Sequence, residues 1–336
     1  MSVNATGTYP SSFPNTSSAG TIPAEVASFY DAVLLERVVS NFVHMRWAQF
    51  RDVPANFGTG NIKFRRYANL SAATTPLTQG VTPAGSSLSV TDIQATVLAY
   101  GDFTTVTDVT TYQSKDKVLM EAAEILGDQA SDTLDILTRN ILAAGTSVFY
   151  SGTANTATDE VAAGDTITLN DVKLAVRLLT NNKARKITKM INASTGVGTT
   201  PLQASYIAIC DAYTTYDVKA PSGFVPIEKY SSTTGLMEGE IGKLDEVRFV
   251  QTPNAKILVG EGTAGIDVHA TIILAANAYG VSRISGQSMK NIVKPLGSGG
   301  TTDPLDQRAT SGWKATFVAK ILNDDFMTRI EHAVTA

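Results

Sequence analysis

Between residues 114 and 144, Leu119, Ala123, Leu126, Ala130, Leu134, Leu137 and Ile141 recur at intervals of three and four. That spacing places them on one side of an α-helix. Glu121, Glu124, Asp128, Asp132, Asp135 and Arg139 fall largely off the stripe. Asp116 stands in the first turns, where the helix dipole favours an acid, and Gly145 ends the run. About thirty residues rising 1.5 Å each give a helix of roughly 45 Å. Most globular helices are far shorter. A chain with such an element folds around it as a spine, with Leu119, Leu126, Leu134, Leu137 and Ile141 as its core-facing positions.

The flanking segments read as a mixture of strands and helices. Pro23 opens a helix whose apolar positions Phe29, Val33, Leu34, Val38 and Phe42 carry it to about Trp47. IKFRRY (62–67) is a strand with Ile62 and Phe64 on one face and Lys63 and Arg65 on the other. Ile93, Ala95, Val97 and Ala99 alternate in a second strand, which Gly101 interrupts and 103–110 continues. Residues 151–165 and 191–201 are small and polar, hence loops. A helix over 169–179 takes Asn170 as its cap. SYIAIC (205–210) is a buried strand, and a helix follows it. The segment 239–252 reads as two turns and a strand carrying Val247 and Phe249 on one face. A β-branched stretch from His269 to about Ile292 is a strand with a break at Gly280. Trp313 to Ile321 alternates as a strand, Asn323-Asp324-Asp325 turns the chain, and 326–332 returns as a strand. Strands both before and after the helices make the class α+β.

The 22 residues NLSAATTPLTQGVTPAGSSLSV (69–90) carry no charge and almost no large apolar side chain. A compact domain seldom holds so long a structureless loop. The economical reading extends the strands at 62–67 and 93–100 into it, as a ribbon of ten to twelve residues per arm and roughly 35–40 Å. A two-stranded ribbon is marginal alone in water, so it needs a surface to lie on. Small uncharged side chains suit a contact face. Apolar alternation is lacking between Ser71 and Ser87, so that surface is expected on another copy of the chain. Arg65, Arg66, Thr75, Pro76, Leu77, Thr78, Val81 and Pro83 are the expected inter-subunit contacts. Residues 1–22, rich in Ser, Thr, Gly and Asn, read either as an extended arm or as a disordered tail.

The totals agree with a covered surface. Charged residues make up 17% of the 336, against about a quarter in ordinary domains. A formal net charge of -4 argues against wrapping nucleic acid, which needs many cations at phosphates. Cys210 is the single cysteine, so neither an internal disulfide nor a thiolate metal cluster is expected. The N-terminus lacks a basic region and an apolar core, so no signal peptide is expected. The apolar run 270–281 is about half a membrane span.

Chemistry-bearing motifs are absent. His44, His269 and His332 have no His or Cys at metal-ligand spacing. GLMEGEIGKL departs twice from a phosphate loop, with Met237 and Leu244 at required positions. LGSGGTTD (296–303) reads as a flexible loop, and Asp324-Asp325 as turn residues rather than metal carboxylates. Lys173, Arg177, Lys183, Arg185, Lys186 and Lys189 form the one basic cluster, read either as a solvated face or as a charged contact with an acidic neighbouring subunit. No enzyme activity and no cofactor are expected.

The order of arm, helix, FRRY strand, neutral loop, Gly-Asp-Phe strand and acidic helix resembles the major capsid proteins of tailed bacteriophages, of the Hong Kong 97 fold. Within them it is similar to the subfamily named after the coat protein of phage N-four. The matching stretches are FYDAVLLERVVSNFVH (29–44), IKFRRYANLSAATTPLTQGVTPAG (62–85), LGDQASDTLDILTRNILAAGT (126–146) and DPLDQRATSGWKATFVAKILNDDFMTRIE (303–331). GEIGKLDEVRFVQTPNA (239–255) resembles a more widespread capsid segment, with Glu246 where a small residue is common. The resemblance implies an L-shaped subunit with an N-terminal arm (1–23), a helical region (24–59) and an extended hairpin loop (60–102). A peripheral domain with the spine helix (103–169), an axial domain (170–300) and C-terminal strands returning to the peripheral domain (301–336) complete it. It implies a structural subunit that self-assembles through pentamers and hexamers into an icosahedral virion shell in the host cytoplasm. The implied partners are other copies, portal, scaffolding or decoration proteins, and packaged DNA that lies nearby without specific binding; no membrane is implied. The runner-up is an encapsulin-like cellular shell, distinguished by a cargo enzyme in place of DNA. A reading from another class is an α+β enzyme with a non-local site, which a bound cofactor or turnover would reveal.

Overall fold

The computed structural model describes residues 42–52, 60–67, 70–113, 118–152, 155–190, 202–231, 235–283, 289–298 and 303–335. The arm, most of the helix expected over 23–47, Asp116, the insertion at 191–201 and the side chain of Leu119 lie outside the described residues.

In chain order, strands β1 (Gln49–Arg51), β2 (Asn61–Tyr67), β3 (Val90–Thr96) and β4 (Leu98–Thr107) precede helices α1 (Asp108–Gln113) and α2 (Val118–Ala143). Strand β5 (Val148–Tyr150), helix α3 (Leu169–Asn181), strand β6 (Tyr206–Cys210) and helix α4 (Thr214–Lys219) follow. Then come β7 (Val225–Pro226), β8 (Glu240–Leu244), β9 (Val247–Gln251), β10 (Lys256–Leu258), β11 (Val268–Leu274) and β12 (Tyr279–Ser282). The last strands are β13 (Met289–Lys294), β14 (Arg308–Phe317), β15 (Ala319–Ile321) and β16 (Met327–His332).

The chain divides into two units. The first comprises Met1–Arg46, Leu98–Asn140 and Arg283–Phe317. Its strands form an antiparallel sheet in the order β13-β14-β4. Helix α2 is 26 residues long, about 39 Å. Ala123, Leu126, Ala130 and Leu134 are buried as the stripe requires. Leu137 and Ile141 are only half-buried. The buried arc is displaced toward Ser131, Asp135 and Thr138, all buried. Asp135, expected off the stripe, is drawn in by backbone amides: His44 N donates to Oδ1 at 2.7 Å and Val43 N at 3.1 Å. Residues 43–47 form a bend and turns where helix was expected. The Nδ1 of His44 lies 2.7 Å from the other Asp135 oxygen. Gln129 ties the sheet to the helix, accepting from Trp313 Nε1 at 3.2 Å and donating to Asp102 Oδ2 at 2.6 Å.

Gly101 does not interrupt its strand. It lies inside β4, opposite Lys314, and a Cβ there would meet the Trp313 carbonyl oxygen at 2.5 Å. The glycine permits a close backbone approach; the break falls at Val97 instead. Residues 108–110, expected to continue the strand, open α1.

The second unit comprises Trp47–Val97, Ile141–Ser282 and Val318–Ala336. Its centre is a mixed sheet in the order β5-β16-β11-β6-β9-β8-β7, with β10 also paired to β11. All residues of β6 and β11 are buried. Helix α3 covers one face of the sheet, packing Val172, Ala175, Val176 and Leu179 against Tyr206, Phe249, Ile273 and Ile330. The cap of α3 is Thr168, not Asn170. Its side chain and that of Asp171 form a reciprocal capping box, which satisfies two amides at once.

Residues 240–244 form a strand rather than a turn, hairpinned to β9 through the buried Arg248–Glu240 pair (Nε to Oε1, 2.6 Å). Strand β16 does not return along β14. It pairs with β11 over six residues and runs parallel to β5, while β15 pairs with β12. A short 3-10 turn at Asp324–Phe326 separates them.

Candidate assembly surface

Strands β2 and β3 form a seven-residue antiparallel ladder from Asn61↔Thr96 to Tyr67↔Val90. Ile62, Phe64 and Ala95 pack with Val318 and Leu322. Phe64 seats over Gly280, where a Cβ would stand 2.5 Å from its ring. Gly280 thus lies within β12 as a seat, and the expected break falls at 275–278.

The upper half of the hairpin turns polar. Arg65 Nε donates to Asp92 Oδ1 at 2.9 Å across the ladder. That hydrogen bond holds the Asp92 carboxyl below the usual carboxylate range. Arg66 Nη1 reaches Asn323 Oδ1 at 2.8 Å and the Leu322 carbonyl at 3.5 Å. Arg65 thus ties the two strands of the hairpin together, and Arg66 ties the hairpin to the segment after β15. The sequence carries no signal of the Arg66 partner, since Asn323 lies 257 residues along the chain and reads as a turn residue.

The ribbon does not extend into the neutral segment. Residues 70–89 contain no strand, and every one of them is exposed. Side chains with so little apolar alternation supply no reason for the two arms to pair. A hydrogen bond from Val81 N to Thr78 O at 3.2 Å closes a turn, with Gly80 at φ 80° in the position that demands a left-handed residue. Thr75, Pro76, Leu77, Thr78, Val81 and Pro83 all stand on this exposed segment. Leu77 is 77% exposed, and Leu70, Val81 and Leu88 more than half. Four apolar side chains on one uncharged segment, all exposed, leave it a surface with little to desolvate if a partner covers it.

Of the basic cluster, Lys173, Arg177, Lys183, Arg185 and Lys189 are exposed, and Lys186 pairs with Glu246 at 2.7 Å. Among the described residues no group of three or more His, Cys, Asp or Glu could hold a metal ion. Nor is any described helix long and apolar enough to cross a membrane.

Solved structures share this fold. The capsid of Ralstonia phage GP4 matches with a TM-score of 0.68 at 12% identity, covering 100% of this chain and 99% of that one. The head structure of Helicobacter pylori bacteriophage KHP40 matches at 0.57 and 13%, over 87% and 88% of the two chains. The cyanophage Pam1 capsid asymmetric unit matches at 0.56 and 12%, over 98% of each. Among curated proteins, the major capsid protein of Pseudomonas phage KPP21 is 29% identical over 147 residues, which is 42% of this chain. The match spans 37% of that relative's length. No family model matches the sequence.

Proposed function

We propose that this chain, which has the Hong Kong 97-like fold of phage capsid subunits, is the major capsid protein of a tailed bacteriophage. It assembles with copies of itself into the icosahedral shell around the genome. The observation that carries this reading is the fold likeness to a phage capsid over the whole chain. The exposed, uncharged loop at 70–89 supports it, because a shell subunit works through contacts rather than through a pocket. Each contact can be weak when a closed lattice adds many together. In this reading the loop and its residues Thr75 to Pro83 lie on a neighbouring copy. Within the same proposal the peripheral domain (103–169) carries α2 and the axial domain (170–300) carries most of the eight-stranded sheet; of the C-terminal strands, β14 pairs with β4 and β16 with β11. Kinship with the N-four coat proteins belongs to the same proposal, as do partnership with portal and scaffolding or decoration proteins and assembly in the host cytoplasm. The chain carries no catalytic duty, and its mild net acidity lets packaged DNA slide along the inner wall.

Negative-stain electron microscopy of the purified chain tests the reading. Closed shells, or pentamers and hexamers, are expected, alone or with the other head-assembly proteins. A chain that stays monomeric in both settings overturns it. Particles filled with a cargo enzyme instead of DNA would move the chain to an encapsulin-like compartment.

A further inference from the structure

A groove of about 740 Å³ opens at one end of the eight-stranded sheet, and Arg65, Arg66, Lys183 and Arg185 line it together with Asp325. The place follows from topology. Asn277 lies just beyond the end of β11, Phe326 just before the start of β16, and Lys183 and Arg185 lead toward β6; all line the groove. The register Leu274↔Met327 and Leu274↔Ile207 brings those strand ends together. Arg65 is matched by Asp92. The guanidinium of Arg66 is held by an amide and a carbonyl oxygen, neither of them charged. Three cations thus face one carboxylate. Lys183 adopts φ 56° immediately beyond Asn182, the C-cap of α3, where glycine is the usual occupant. A lysine kept at a strained position points to a use for its side chain.

The opposite end of the same sheet is acidic. The loop from β10 to β11 carries Glu261 and Asp267. It is joined to the segment bearing Asp159 and Glu160 by Thr263 N to Val161 O at 2.9 Å and Thr263 Oγ1 to Asp159 O at 2.7 Å. All four carboxylates are exposed. Val259 of that loop is 76% exposed. Tyr213 and Tyr216, after the end of β6 on this side, are 67% and 71% exposed. The basic side chains of these segments are Lys256 and Lys219. The seven residues of β11 separate the two ends, about 20 Å.

We propose that the acidic end of one copy docks in the basic groove of the next, head to tail. The proposal rests on the shell reading and names a contact within it. Because the two complementary patches lie at opposite ends of one unit, each copy can offer one end to each neighbour, a heterologous contact that closes into rings when the rotation allows. The exposed tyrosines and Val259 supply apolar area beside the charges, and Tyr67 at the groove supplies it on the receiving side. Charge complementarity sets register and partner choice. A nucleic acid would also fit the cations of the groove, but a second copy supplies the matching carboxylates and the exposed apolar side chains together.

The test is paired charge reversal in the full chain. Assembly is followed by sedimentation velocity over a concentration series, with melting temperature as the check on folding. Lys183→Glu with Arg185→Glu reverses the groove. Asp159→Lys with Glu261→Lys reverses the other end; Glu160 and Asp267 are spared because their carboxylates accept backbone amides of their own loops. Each pair alone is expected to raise the concentration needed for assembly about tenfold or more, because like charges then face each other. All four together should return it to within about threefold of the wild type, since the reversed ends match again. Folded pairs that assemble like the wild type overturn the contact and leave the shell reading standing. So does a folded fourfold variant as defective as the pairs. A wild type that never associates, even with the other head proteins, removes both. Nucleic acid lost from the groove variant with assembly unchanged would reassign the groove to a polyanion.

Discussion

His332 is fully buried, and its hydrogen bonds define its protonation. Nδ1 lies 2.8 Å from the Ala333 carbonyl oxygen and Nε2 lies 3.0 Å from Thr271 Oγ1. The neutral ring fits both: Nδ1–H donates to the carbonyl, and Nε2 accepts the hydroxyl proton. Burial pushes the imidazolium down to about 4, and His269 stacked at 6.3 Å adds to the shift. Between pH 6.5 and about 4 the unfolded chain binds a proton that the folded chain refuses. The contribution to stability is therefore complete above pH 6.5 and is lost as pH falls through that window. On the order of 2 kcal/mol should go by pH 5. His332→Asn keeps a donor near the Ala333 carbonyl but cannot titrate. Melting temperature should fall less between pH 7 and pH 5 in this variant than in the wild type, and equal slopes would refute the assignment. Cys210 is the complementary case. Burial raises its thiol to about 12, and only the thiolate attacks. An aromatic disulfide reagent should leave the native thiol untouched and titrate it in denaturant; fast reaction of the native protein would show that β6 opens.

At the scale of elements, α2 makes the sharpest claim. Leu134 is fully buried while Leu137, one turn on, is half-buried. Leu134→Ala should cost about 2–5 kcal/mol through the cavity it leaves, and Leu134→Asp should prevent folding by burying an unpaired charge. Leu137→Ala should cost clearly less. Circular dichroism melts decide, and equal losses would restore the symmetrical stripe. The helix, β2 and β6 were legible in the sequence because their signals are local: a period of 3.6, an alternation, an apolar run. Gly101 and Gly280 were misread for a physical reason. A lone glycine in a strand marks either a break or a close approach, and only the Trp313 carbonyl and the Phe64 ring decide between them. The pairing of β16 with β11 joins residues such as His269 and His332, and no turn between adjacent strands announces it. The displaced face of α2 has the same origin, since Asp135 is buried by amides 91 and 92 residues away.

For the whole molecule, the hairpin separates what folds the chain from what joins chains. Its base was legible: alternation gave Ile62 and Phe64 inward, and both are buried. Its exposed loop was legible as composition, though not as conformation, because a segment without apolar alternation has no preferred pairing to read. The same division makes a prediction. Deleting 71–87 leaves residues 68, 69, 70, 88 and 89 between Tyr67 and Val90, which are paired in the ladder. Five residues suffice to close an antiparallel hairpin. Shortening a loop lowers its closure entropy rather than raising it, and no buried side chain is removed, since every residue from 70 to 89 is exposed. The variant should therefore melt at the wild-type temperature. If the loop covers a neighbour, the same variant should fail to close shells where the wild type closes them, although any contact between the ends of the eight-stranded sheet is untouched. Rings that stop short of shells would fit both, because the loop and the groove then act at different contacts. Normal shells from a normally folded deletion variant would show that residues 71–87 are no part of the assembly surface.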